Sequence, residues 1–193
     1  MRAWILISVL SVCAACRPGS EQATTPDAAA EETLGTPVRI AESFVPSRWG
    51  EAETVELSLD CRTRVRPDDE DGTCIKISYH PADEFWGAVY WETKKESGVR
   101  KPVRLAAGSR ISFWARGETG NERVAFELPG NPSSELLAHR EATRLDSDWK
   151  HFELEIGDRA GTPVTGIFGV RWDCATGQNP GGLTFYLDDL RID

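Results

Sequence analysis

The chain has 193 residues, 40% of them hydrophobic, and 31 acidic against 22 basic side chains give a formal net charge of −9. Such a length suits one compact domain with extensions, and such a hydrophobic share suffices for a packed core. The negative charge argues against nucleic acid or anionic lipid as the main partner, since both would repel it.

Arg2 gives a short basic start, and residues 4–12 are apolar apart from Ser8 and Ser11. An apolar run of about 7–15 residues behind a positive start reads as the core of a cleaved export signal, too short to anchor across a bilayer. Ala14 and Ala15 then precede Cys16. This resembles the lipobox of bacterial lipoproteins, in which a small residue precedes the cysteine that receives diacylglycerol. The resemblance implies a signal peptide over residues 1–15 and palmitate-type acylation at Cys16. It further implies an exported protein, lipid-anchored to the cell envelope at the outer membrane or cell surface. The lipid membrane would then be a partner through acylated Cys16. Cys13 stands where the pattern usually has Leu. Taking Cys13 as the target restores Leu10 to that place but sets bulky Val12 beside the cut, so Cys16 is preferred. A secretory peptide cut without lipidation is the other reading.

Residues 17–38 are rich in Pro, Ala, Thr, Ser and Glu and hold no aromatic side chain. Such a stretch buries too little apolar surface to offset its ordering entropy. With Cys16 it reads as a tether over residues 16–38, and residues 39–193 as one folded domain. Cys61 and Cys74 flank a polar loop that should draw two strands together. A disulfide between them is predicted, contributing about 3 kcal/mol in the loop-entropy account. Cys174 is either a buried free thiol or the true partner of one of the other two. The spacings do not make a zinc site.

From residue 39 the hydrophobic pattern has period two. Val55, Leu57 and Leu59 alternate with polar residues, as do Ile75, Ile77 and Tyr79. Ile111, Phe113 and Ala115 alternate with Arg110, Ser112 and Trp114, Val124, Phe126 and Leu128 with Arg123, Ala125 and Glu127, and Phe152, Leu154 and Ile156 with His151, Glu153 and Glu155. This is the pattern of half-buried antiparallel strands. Further strands near 85–92, 165–172 and 183–192 complete the set, separated by clusters of Gly, Pro, Asn and Asp. About eight or nine such strands without a long amphipathic helix imply an all-β antiparallel sandwich or jelly roll. Three strands depart from clean alternation. FWGAVYWE sets Phe85, Val89 and Trp91 on one face and Trp86 and Tyr90 on the other; FYLDDLRI is apolar on both faces; ISFWAR places Trp114 opposite its core residues. The second face of each must meet a covering loop, a ligand or a partner.

CIKISY, FWGAVYWE, ISFWARGETGNE, VAFEL, WKHFELEI and FYLDDLRI, with FVPSRWG at the opening, resemble the galactose-binding-like β-sandwiches that include many carbohydrate-binding modules. The likeness covers most of residues 39–193. It implies a non-catalytic module in which flat aromatic rings stack on the C–H faces of a sugar while polar groups orient its hydroxyls. On that implication the platform candidates are Trp86, Tyr90, Trp91, Trp114 and Trp172, with Arg116 and Glu127 as polar partners. The ligand would be a polysaccharide or a cell-envelope glycan. The charged loop TKKESGVRK after Trp91 departs from an aromatic or Asn/Gly-rich pattern. Sandwiches of this kind often hold a structural calcium ion, for which Glu42 and Asp188 occupy comparable places.

Other motifs fail. DDEDG at 68–72 does not meet the EF-hand spacing, because the first position falls on Pro67 and the last on Ser78. GxSxG, HExxH, GxGxxG and the phosphate-binding loop are absent. A hydrolase would need two carboxylates facing across a cleft, with Glu127 and Glu153 as the pair to inspect. The remaining alternative is a structural or protein-interaction envelope lipoprotein without sugar binding. It predicts buried tryptophans and a flat apolar patch.

Overall fold

The computed structural model describes residues 32–69, 72–83, 85–130, 136–157, 160–175 and 178–193. The expectations for the signal peptide and for lipidation at Cys16 fall outside these residues. The strands in chain order begin with β1 (Glu32–Thr33), β2 (Val38–Arg39), β3 (Val45–Gly50) and β4 (Val55–Cys61). Next come β5 (Cys74–Tyr79), β6 (Trp86–Glu92), β7 (Lys95–Glu96) and β8 (Val99–Arg100). Then follow β9 (Val103–Arg104), β10 (Arg110–Gly117), β11 (Arg123–Leu128) and β12 (Ala138–Arg144). The last are β13 (Lys150–Glu155), β14 (Pro163–Val164), β15 (Gly166–Asp173) and β16 (Leu183–Ile192). One helical turn, α1 (Ile40–Ser43), separates β2 from β3.

Two antiparallel sheets carry the fold. The front sheet runs β12–β11–β15–β6–β3, and the back sheet β13–β10–β16–β5–β4, with β2 beside the end of β16. Their inner faces interdigitate as the alternation requires. Phe113 of the back sheet meets Phe126 at 4.6 Å and Phe168 at 5.0 Å between ring centroids, both from the front sheet. Trp172 of the front sheet likewise sits 5.4 Å from Tyr79 and 5.9 Å from Phe185. The chain is an antiparallel β-sandwich of jelly-roll type, as the periodicity predicts.

Every strand expected from alternation is present; both edge strands of the front sheet were missed or only hinted at, and the two-residue strands β1, β2, β7, β8, β9 and β14 were missed as well. β12, AHREATR, has no apolar alternation because it is an exposed edge strand. β3 forms the opposite edge of the same sheet, within the FVPSRWG segment. Alternation breaks at Leu59, which is exposed, because the β4–β5 register shifts between Ser58 and Cys61. Residues 32–38, which their composition assigns to the tether, include positions that join the fold. Glu32 and Thr33 pair in parallel with β9, Val38 pairs with Ile192, and Leu34 and Val38 pack against the core.

The predicted disulfide joins Cys61 to Cys74, which face each other across β4 and β5. Cys174 is a free buried thiol, which settles its two readings. Burial, with the Asp173 and Glu51 carboxylates adding to it, pushes that thiol up to about 11.

The disulfide ties down residues 62–73, and the described part of this strap reaches onto the outer face of the back sheet. Arg66 lies 4.9 Å over the Trp114 ring and gives its Nε hydrogen to Asp188 at 3.0 Å. Arg64 pairs with Glu118 at 2.7 Å, and the Tyr186 hydroxyl donates to the same carboxylate. The second face of ISFWAR and FYLDDLRI is therefore met by a covering loop, one of the three options their composition left open.

Candidate functional site

The outer face of the front sheet is the aromatic face that no strap crosses among the described residues. Register fixes who stands beside whom. Trp49, Ala88 and Arg171 fall on one cross-strand line, as do Ser47, Tyr90, Gly169 and Glu127. Trp86 is opposite Asp173 on the next line. Period two then sends all of these outward, while Val89, Trp91, Val170 and Trp172 point into the core.

Tyr90 is the hinge of the arrangement. Its ring lies over Gly169, where any Cβ would overlap it, so this glycine is a notch that lets the ring lie across the sheet. Its hydroxyl donates to Glu127 Oε2 at 3.0 Å. Burial first, then the neighbouring Glu127 carboxylate, pushes the phenol well above its usual range, so it remains a donor. Trp49, 45% exposed, meets the Tyr90 ring edge-on at 6.3 Å. The Arg171 guanidinium lies 5.9 Å from the centre of the Trp86 ring. A depression of about 460 Å³ opens here, bordered by Trp86, Tyr90, Glu127, Leu136, Arg171 and Asp173. Glu127 is 3% exposed and yet lines that depression.

One end of this face is walled by the β7–β8 hairpin, the charged loop noted in the sequence. Arg100 pins it, giving Nη2 to the buried Glu92 at 2.6 Å, while Ser47 donates to the same carboxylate. The charge of that loop is thus partly structural. At the other end the buried Asn179 stitches two strands together. It accepts from Arg123 N at 2.9 Å and donates to the carbonyls of Arg123 and Asp173 at 2.9 and 3.1 Å.

The sequence candidates separate into three places. Trp86, Tyr90 and Glu127 converge on the front face. Trp91 (0% exposed) and Trp172 (2%) are core side chains with no face to offer a ligand, because their positions in β6 and β15 are the inward ones. Trp114 and Arg116 lie on the outer face of the back sheet. There Trp114 is packed between Arg66 and His151, and Arg116 lies 6.0 Å over Tyr186. Trp49, Ser47, Arg171 and Asp173 escaped notice. FVPSRWG had pointed near Trp49, and Arg171 on β15 is the outward residue between the inward Val170 and Trp172.

The hydrolase pair also separates. Glu127 lies on the front face, whereas Glu153, cross-strand from Ser112, lies on the back and pairs with Arg110 at 3.6 Å. The two sheets stand between them, so they cannot act across one cleft. Glu42 and Asp188 border one cleft with Arg39, Arg66 and Arg191. The Glu42 carboxylate pairs with Arg39 at 3.3 Å, and Asp188 is held by Arg66 and by Asp189 N at 2.7 Å. No group of three or more potential metal ligands occurs among the described residues. Each of the two carboxylates thus faces a guanidinium group that competes with any cation for it.

No protein-family model matches the sequence, and no curated protein does. Among solved structures, the chain is similar to an arabinose-bound GH51 α-L-arabinofuranosidase at 17% identity and a TM-score of 0.54. The alignment covers 83% of this chain and 25% of that one, so the chain spans about a quarter of that enzyme's length. The shared feature is the fold. Carbohydrate binding modules of family 29 align more loosely. One in complex with mannohexaose gives 13% identity and a TM-score of 0.48 over 78% of this chain and 79% of that one. Another gives 14% identity and 0.47, over 78% and 77%.

Proposed function

We propose that the protein is a non-catalytic glycan-binding module, with its site on the outer face of the front sheet. The observation that carries this reading is Glu127. It is a carboxylate almost withdrawn from water, yet it borders an open depression, and its hydrogen-bond partner among the described residues is the Tyr90 hydroxyl alone. A buried acceptor with spare capacity is costly unless a donor arrives to meet it. Vicinal sugar hydroxyls are such donors. Trp86 and Tyr90 offer apolar ring surface beside it for C–H faces. Arg171 donates and Asp173 accepts at the same place, so the site matches a neutral polyol better than an apolar ligand.

The test is calorimetric titration or a glycan array with the wild type, Trp86→Ala and Glu127→Gln. Both variants should lose binding at least about tenfold, the worth of one or two charge-assisted hydrogen bonds. Binding unchanged in both would sink the assignment of the site. Binding to no glycan by a folded protein would favour the protein-interaction reading.

The same proposal extends to the N-terminus. The module is exported and held at the envelope through acylated Cys16. Labelling cells with an alkynyl palmitate analogue should mark the wild type and not Cys16→Ser. Retention of label in that variant would move the site to Cys13, and no label in the wild type would favour a soluble secreted form.

A further inference from the structure

We infer that the groove holds two consecutive units of a glycan chain, the second in a polar subsite over Ala125 that contains no aromatic platform. This rests on the glycan-binding reading above and specifies its ligand as a chain, not a single sugar. A second depression of about 350 Å³ adjoins the first and shares Glu127, Arg171 and Asp173 with it. Together they make one trough crossing β6, β15, β11 and β12. Three strand spacings of about 4.8 Å make that path roughly 14 Å, longer than one sugar ring.

The two halves differ in chemistry. The first is aromatic, with Trp86 and Tyr90. The second has Ala125 at its base and is bordered by Arg123, His139, Glu141 and Gln178; Trp172 also borders it but is buried and offers no open ring face. A bulge opens it: the β11–β12 register shifts between Val124 and Phe126, so Glu141 and Ala142 together face Ala125. Bulges re-aim side chains in this way beside functional surfaces.

The charges of the trough are also unspent. Arg123, Arg171 and His139 have no carboxylate partner within ion-pair distance among the described residues, and Glu141 has no cation. On the opposite side of the molecule, Arg64, Arg66, Arg110 and Arg191 are each ion-paired. Groups of both signs standing near one another without pairing can meet a ring of hydroxyls, which donate and accept, without first breaking a salt bridge. The aromatic half supplies stacking, and the polar half reads the hydroxyls of the adjoining unit.

The experiment titrates the full chain with β-1,4-linked glucose, mannose and xylose saccharides of increasing length, from the single sugar upward. Affinity should rise at least about tenfold between one unit and two or three, as an added set of hydrogen bonds gives. Ala125→Phe fills the floor of the polar half and should erase that rise while leaving single-sugar binding in place. Arg123→Ala, an exposed side chain, should blunt the same rise and serves if the Phe variant misfolds. Single sugars binding as tightly as longer chains, or both variants leaving the length dependence intact, would overturn the inference and spare the site. Failure of every saccharide to bind would remove the glycan reading itself.

Discussion

At the scale of single residues, a strand pattern says which side of its own sheet a side chain takes. It does not say what covers that side. Trp86 and Trp91, five residues apart, look alike in the sequence, yet one borders water and the other is wholly buried. Trp172→Ala should therefore cost about 3–5 kcal/mol of stability by leaving a cavity, whereas Trp86→Ala should leave the denaturant midpoint nearly unchanged and abolish binding. Equal loss of stability in both would contradict the placement of Trp86. Gly169→Ala makes a sharper demand. Its methyl group would displace the Tyr90 ring and break the bond to Glu127. Binding should fall with Gly169→Ala as it does with Tyr90→Phe; binding at the wild-type level would mean that Tyr90 need not lie across the notch.

At the scale of elements, the strands of the core were legible because burial on one face writes itself into the sequence as alternation. β12 was not, because AHREATR buries no face completely, so nothing selects apolar residues there. That strand nevertheless supplies His139 and Glu141 to the trough, and half of the candidate site was thereby invisible. The strap was half legible: its disulfide followed from two cysteines flanking a polar turn, its landing place did not. Replacing Cys61 and Cys74 by serine should cost about 3 kcal/mol in the loop-entropy account. It should also loosen Arg66 from Trp114, read as increased amide exchange over the described strap residues. Unchanged exchange would show that the ion pairs suffice without the bridge.

The turn after β10 carries a titratable prediction. Burial works against ionisation of Glu122, but Thr119 N at 2.8 Å and Gly120 N and Asn121 N at 3.0 Å all donate to it, and its carboxyl is held below the ordinary range. The stabilisation is present above the unfolded carboxylate value of about 4 and is lost as pH falls through the lower folded value. Wild-type urea midpoints should drop as pH falls below about 4, and Glu122→Gln should flatten that limb. A variant that tracks the wild type throughout would remove Glu122 from the acid response. Asp188 acts with the opposite sign. Burial raises its carboxyl despite the Arg66 hydrogen bond, so its contribution weakens as pH rises above the usual carboxylate value.

At the scale of the whole molecule, the sandwich presents two outer faces made by the same alternation and puts them to different use. The back face is crossed by its strap, and Arg64, Arg66, Arg110 and Arg191 are ion-paired there. The front face keeps an aromatic row beside the buried Glu127 carboxylate, with Arg123 and Arg171 lacking an ion-pair partner among the described residues. Periodicity could foresee that two such faces exist; only the crossing of the strap decides which one is free, and that is a long-range event no local pattern encodes. A fourfold rise in salt should consequently affect binding modestly, because the trough carries both signs and its main donors are neutral hydroxyls. Steep salt dependence would point to an anionic ligand on Arg123 and Arg171.

The uneven burial of the tryptophans also gives the molecule two optical channels. Trp91 and Trp172, sealed from water, should emit toward the blue, and Trp49 and Trp86, in reach of it, toward the red. A ligand seated over Trp86 should alter the red edge of the emission and leave the blue edge still. Unfolding should do the reverse, draining the blue into the red. A single unlabelled spectrum would then tell an occupied groove from a loosened core.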